Sequence, residues 1–87
     1  MYRLAHHVST VETDYGVVLL DEKRGVYFTL NPSGALVLKS MLATGDLDSA
    51  VGALLAEFAV ERAIAEADAN GVVADLLAAG VLVSADG

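Results

Sequence analysis

Four consecutive charges followed by a glycine, Asp21-Glu22-Lys23-Arg24-Gly25, separate two short apolar runs and constrain this chain more than any other feature. Before them stands Val17-Val18-Leu19-Leu20, and after them Val26-Tyr27-Phe28-Thr29-Leu30. Both runs have the β-branched, aromatic and aliphatic composition of strands. The charges keep the link in water, and Gly25 can take the positive φ of a tight reversal, so the segment reads as a β-hairpin. Alternation places Val26, Phe28 and Leu30 on one face and Tyr27 and Thr29 on the other. Phe28 and Leu30 are expected to point at the core. A further strand is expected within Tyr2 to Glu12, around Val8 and Val11.

Asn31-Pro32 marks the change from strand to helix. Asparagine is a favoured N-cap, and proline at the first helical position gives up an N–H that has no partner there anyway. The spacing predicts a helix from Pro32 to about Leu42 that buries Leu36, Val37 and Met41, with Leu38 beside them, and ends at Thr44-Gly45. Asp46 or Asp48 caps a second helix with an apolar face of Leu47, Val51, Leu54, Leu55 and Phe58. A third is expected from about Glu61 to Ala79, with a stripe of Ala65, Ala69, Val72, Val73 and Leu76. Asn70-Gly71 interrupts this stretch with a turn signal, but the apolar spacing continues across it and one helix is expected. Val81-Leu82-Val83 forms an apolar tail, and the last four residues are expected to be mobile. The order is therefore three strands followed by three helices, an α+β domain of the winged helix-turn-helix type.

Length and charge narrow the function. The 87 residues suit a single domain spanning 1–87. A mean hydropathy of +0.56 is too apolar for disorder. No apolar run approaches the roughly 20 residues that span a bilayer, and the start of the chain lacks the apolar segment of a signal peptide. With no cysteine, disulfides and thiolate chemistry are excluded, and a cytoplasmic setting is expected. The net charge of −7 lies entirely after Gly45, where eight acids face one base, Arg62. Helices carrying Arg62 against Glu57, Glu61, Glu66, Asp68 and Asp75 would repel a phosphate backbone, which argues against a DNA reader.

No catalytic constellation is visible. His6 and His7 point to opposite faces of a strand and cannot share a metal without outside ligands. Asp68 and Asp75 share a helix face but lie two turns, about 10.5 Å, apart, too far for a carboxylate dyad. They suit a solvated face or the rim of a binding site. Ser33-Gly34 lacks the context of a nucleophile elbow, and there is no phosphate loop. Neither metal nor cofactor is expected. The remaining signal is Val26–Leu30 itself, which carries no charge, proline or bulge to defend a sheet edge. A peptide could add there as a further strand; by composition alone, an N-terminal segment or a second copy of the chain could equally cover it.

The string Val18-Leu19-Leu20-Asp21, then Gly25-Val26-Tyr27-Phe28-Thr29-Leu30-Asn31-Pro32-Ser33-Gly34, resembles the PqqD-like family. That family carries a leucine-aspartate strand, a Gly-x-Tyr-aromatic-x-Leu-Asn hairpin, and a glycine three residues after the Asn. The likeness continues through Asp68, Val72, Val73 and Leu76 to Gly80-Val81-Leu82, and spans about Arg3 to Val83. Two departures are Leu38, where an aromatic is common, and Asn70-Gly71. The resemblance implies a recognition element for the leader of a ribosomally made, modified peptide, closest to the stand-alone protein of lasso-peptide pathways. Its implied partners are the precursor's leader, a leader peptidase and an ATP-dependent macrocyclase; a PqqD-type chaperone of quinone-cofactor biosynthesis is the neighbouring alternative. In the family the leader adds as a strand and lies against the third helix. Here that implies Val26, Tyr27, Phe28 and Thr29 on one side, and Asp68, Val72, Asp75 and Leu76 on the other.

Overall fold

The computed structural model describes Met1 to Ala85. Its hairpin strands, β3 (Gly16–Asp21) and β4 (Val26–Leu30), pair antiparallel with Leu19 opposite Phe28, and β2 (Val8–Thr13) pairs on the other side of β3. The sheet order is β2-β3-β4, so β3 is central and β2 and β4 are the edges. Gly25 turns the hairpin at φ 69°, as its place after four charges requires. The α+β architecture expected from the sequence is present, with three helices following the three-stranded sheet: α1 (Pro32–Thr44), α2 (Leu47–Glu57) and α3 (Arg62–Ala78).

The N-terminal stretch expected as one strand is two. β1 (Tyr2–Leu4) leaves the main sheet and pairs antiparallel with β5 (Leu82–Ser84), Leu4 opposite Leu82. The chain reverses between them and β2: buried Ala5 donates its N–H to the Val81 carbonyl at 2.8 Å and accepts from Val8 at 2.9 Å. The apolar tail thus becomes a strand because Val81 and Leu82 are buried to 0% and 1% exposure, and a buried backbone must find partners. Of the last four residues, Ser84 lies in β5, the Ala85 N–H reaches the Met1 carbonyl, and Asp86 and Gly87 fall outside the described residues.

Each helix start follows its local sequence. The Asn31 side chain accepts from the Gly34 N–H at 2.9 Å with Pro32 at the first helical position, and Asp46 caps α2 through the Asp48 N–H at 3.1 Å. Two apolar clusters form the core. Val17 and Leu19, on the inner face of β3, meet Ala35 and Leu38 of α1, Leu76 of α3, and Val81-Leu82. Behind them Val37, Met41, Val51 and Leu54 close over Ala50, Ala65 and Ala69, whose small side chains let the helices approach. Leu38 is buried while Leu36 is only partly so, the reverse of the weighting the spacing suggests, because α1 turns Leu38 toward the sheet. Phe28 and Leu30 pack against the first cluster, but Val26 on the same face, at the hairpin end of β4, is 42% exposed.

α3 runs unbroken through Asn70-Gly71. The Asn70 amide satisfies the Glu66 carbonyl one turn back at 2.8 Å, and a side chain at Gly71 would meet nothing within 4 Å. Gly71→Ala should therefore raise the unfolding free energy by about 0.5–1 kcal/mol in a urea titration. Gly16 is the opposite case. It sits at φ 133°, and an added Cβ would collide with the Leu30 carbonyl oxygen. Gly16→Ala should cost at least ~2 kcal/mol in the same measurement, because the contact is with backbone and cannot yield.

Candidate functional site

Pairing to β3 alone leaves the far side of β4 as an edge. No charged residue or proline lies between Val26 and Leu30 to blunt it, and Tyr27 stands 69% exposed with Thr29 also exposed. An extended peptide laid along this edge would find alternate N–H and C=O groups facing it, the requirement for strand addition.

The second wall is α3. Val72 is partly buried and packs in the same apolar cluster as Phe28 and Leu30, so the floor between β4 and α3 is apolar. Asp68 and Asp75 are exposed, and neither has an ion-pair partner among the described residues. Leu76 is only 4% exposed: it supports the floor from beneath and offers little surface of its own. Of the eight residues implied by the resemblance, the structure thus places Val26, Tyr27 and Thr29 on the open edge, with Phe28 and Val72 at the apolar floor. Asp68 and Asp75 lie on the exposed side of α3, and Leu76 in the core.

The ends of this groove differ. Past Leu30, a cavity of about 240 Å³ opens between Asn31-Pro32-Ser33, Leu54 and Phe58 of the α2 end, Val60 and Asp68. At the other end, Arg24 of the hairpin turn lies beside Gly80, just past the end of α3. β4 and α3 therefore run antiparallel along the groove. The sequence reading singled out Asp68 but missed the rest of this cavity. Asn31 and Pro32 read as a helix cap, and Leu54 and Phe58 as core positions. Only the partial burial of Phe58 and the 37% exposure of Val60 after α2 distinguish them from ordinary core residues.

Two other openings, of about 270 and 330 Å³, lie toward the opposite edge of the sheet, between β2 or its turn and α1. Both include Glu12 and Lys39, whose side chains pair at 2.7 Å. They are larger than the cavity past Leu30, but unlike it they contain no residue of α3, so size alone does not make them the site. His6 and His7 stand edge-on at 5.5 Å, with His6 exposed and His7 turned toward Asp21.

Residues 16–82 match the family of coenzyme PQQ synthesis protein D (PqqD). The chain belongs to the PqqD family. Two solved structures of similar proteins extend the likeness beyond the matched span. One, "Lasso peptide synthetase B1 complexed with the leader peptide", is 35% identical at a TM-score of 0.84 and covers 95% of this chain and 98% of its own. The other, "TbiB1 in Complex with the TbiA(beta) Leader Peptide", is 27% identical at 0.79 and covers 98% and 99%. No curated protein matches the chain. This PqqD-family chain is similar to both proteins over nearly its full length, beyond the residues 16–82 that match the family. Among the described residues no helix is long and apolar enough to cross a membrane.

Glu12 supplies an electrostatic check on the edge opposite the groove. Lys39 holds its carboxyl below the ordinary value of 4.5, first by a hydrogen bond and then by its charge. A lowered carboxylate contributes stability above its unfolded value and loses it as pH falls through the lowered one. Because both groups are exposed, Lys39→Ala should return the Glu12 titration, followed by NMR, to the ordinary value and barely change global stability.

Proposed function

We propose that this chain is a non-catalytic adaptor that binds the leader segment of a ribosomally synthesised precursor peptide. It does so by strand addition to β4 and presents the precursor to a leader peptidase and an ATP-dependent macrocyclase in lasso-peptide biosynthesis. The observation that carries this reading is the undefended β4 edge facing α3, in a chain similar to two proteins solved with leader peptides. On this reading the leader pairs along Val26–Thr29, rests on Phe28 and Val72, and passes the Asp68 and Asp75 carboxylates. The cavity beyond Leu30 receives whatever follows the paired stretch. No nucleophile–base pair or phosphate loop accompanies the groove, so the hydrolytic and ATP-dependent steps fall to other proteins. A PqqD-type role beside a different modifying enzyme would use the same groove. The cover of 95% and 98% against a lasso synthetase protein favours the first reading.

The test is a titration of the pure protein with the leader peptide of the precursor encoded beside it, and separately with duplex DNA. Leader binding at about micromolar Kd or tighter is expected, with no DNA shift. DNA binding without leader binding would replace the adaptor by a winged-helix DNA reader. Leader cleavage by the purified protein, abolished by one substitution in it, would end the non-catalytic reading.

Strand addition makes a further demand on the edge. Affinity held in backbone bonds is little affected by side-chain truncation, whereas proline removes an N–H and fixes φ. Of Tyr27→Pro and Phe28→Pro, the one whose N–H faces outward should bind at least ~10-fold more weakly while retaining its circular dichroism spectrum. The other should damage the β3–β4 hairpin itself. Val72→Asp, which puts a charge on the apolar floor, should cost about 1–3 kcal/mol of binding. Folded proline variants and Val72→Asp that all bind like the parent would place the leader elsewhere.

A further inference from the structure

Asp21 is the buried charged residue of the described chain, with only 1% of its surface exposed, and nothing in strand addition calls for it. It is the last residue of β3, opposite Val26, at the point where the groove begins. One carboxylate oxygen, Oδ1, accepts the Lys23 and Arg24 N–H groups at 3.1 Å each, and His7 Nε2 approaches it at 3.6 Å. The Asp21 carbonyl also accepts the Gly25 N–H at 2.9 Å, so both ends of the residue are committed to the turn. The other oxygen, Oδ2, is buried without a hydrogen bond. Its nearest cation is the Arg24 Nε at 3.8 Å, one step short of bonding distance.

Arg24 itself reaches across to the far wall. Its Nη2 lies 3.8 Å from where a Cβ on Gly80 would stand, and Gly80 is the left-handed residue, φ 72°, just past the end of α3. The guanidinium, with its Nε 3.8 Å from the Asp21 carboxylate and its Nη2 facing the Gly80 turn, stands between the two walls of the groove at their common end. A helix C-terminus also favours a cation, so the position is attractive on both sides. Burying a carboxylate oxygen with no donor is costly, and a carboxylate so placed needs its cation close and well directed.

We propose that Asp21 and Arg24 form a clamp that ties the start of β4 to the end of α3 and so sets the width of the groove between them. Asp21 and Arg24 are positioning residues: neither touches the leader, and their effect on it passes through the turn and Gly80. Filling the groove holds its walls at one spacing and draws the Arg24 Nε onto Asp21 Oδ2. The clamp rests on the leader-binding reading only for that last consequence; the link between turn and helix end belongs to the free protein.

The experiment has an arm for each. Amide hydrogen exchange in the free protein compares the parent with Arg24→Ala and Arg24→Lys. Faster exchange is expected both in the turn at Gly25 and Val26 and across the groove at Gly80 and Val81. Arg24→Lys should behave as Arg24→Ala, because an ammonium cannot span both contacts. Unchanged exchange at Gly80 and Val81 in either variant overturns the clamp, whether or not the protein binds a leader. The second arm titrates the fluorescein-labelled leader peptide against parent, Arg24→Ala, Asp21→Asn and the double variant. Asparagine keeps an acceptor for the two turn N–H groups while removing the charge. Each single change should weaken binding about 3- to 10-fold, and the double change no more than the worse single one. The salt dependence should stay that of the parent. Additive losses, an altered salt dependence, or full affinity in both single variants would overturn the proposal. A parent that binds no leader would instead remove the functional reading and leave the clamp to the exchange data.

Discussion

The pairing of β3 with both of its neighbours is the interaction on which the rest of this structure depends. Among the described residues β3 is the one strand with a partner on each side, and its Leu19, wholly buried, lies in the cluster that sheet, α1, α3 and β5 share. A three-stranded sheet is too small to close on itself, so it must expose two edges. The helices cover one face, which leaves the edges as the places where unpaired backbone can meet another chain. The molecule treats them differently. β2 carries Glu12, braced by Lys39, whereas β4 carries no charge at all. An undefended edge invites aggregation unless it is reserved for a partner.

Placement of charge reinforces that division. The hairpin half is neutral overall and the helical half holds the whole −7. The groove runs between them, with uncharged backbone on one wall and the exposed carboxylates Asp68 and Asp75 on the other. Backbone pairing would hold any extended peptide in register, while exposed carboxylates act through longer-range attraction and contribute little to net affinity. If a peptide adds to this edge as proposed, discrimination among peptides would fall to the apolar floor at Phe28 and Val72 and to the cavity past Leu30, where fit and desolvation operate.

Rigidity at the two ends of β4 matters for the same reason. At its far end the Leu30 carbonyl sits so close to Gly16 that only glycine fits, and Asn31 passes directly into the cap of α1. At its near end the Asp21 carboxylate orders the turn. An edge fixed at both ends reaches a partner already extended, so less conformational entropy is lost when a strand is added. The β1–β5 ribbon serves the helix wall in turn. By pairing with the chain's other end it anchors Val81 and Leu82, and with them the C-terminal end of α3.

Local chemistry made much of this legible in the sequence. Asp21 to Gly25 demands a reversal, Asn31-Pro32 demands a helix start, and apolar spacing carries α3 through Asn70-Gly71, all of which depend on near neighbours. The same holds for the undefended edge, since what Val26–Leu30 lacks can be read residue by residue. Three features needed the tertiary structure. Tyr2–Leu4 and Leu82–Ser84 are too short to declare a partner, and only the folded chain brings them together. The cavity past Leu30 is assembled from α1, α2 and α3, and Leu54 and Phe58 follow the spacing of buried residues whether or not a cavity lies beside them. Asp21 reads as one more turn charge, yet packing buries it and brings Arg24 within reach of Gly80. Sequence determined what each segment prefers, because propensity and capping act over a few residues. Which segments meet, and which polar atoms that meeting buries, was decided by close packing over the whole chain.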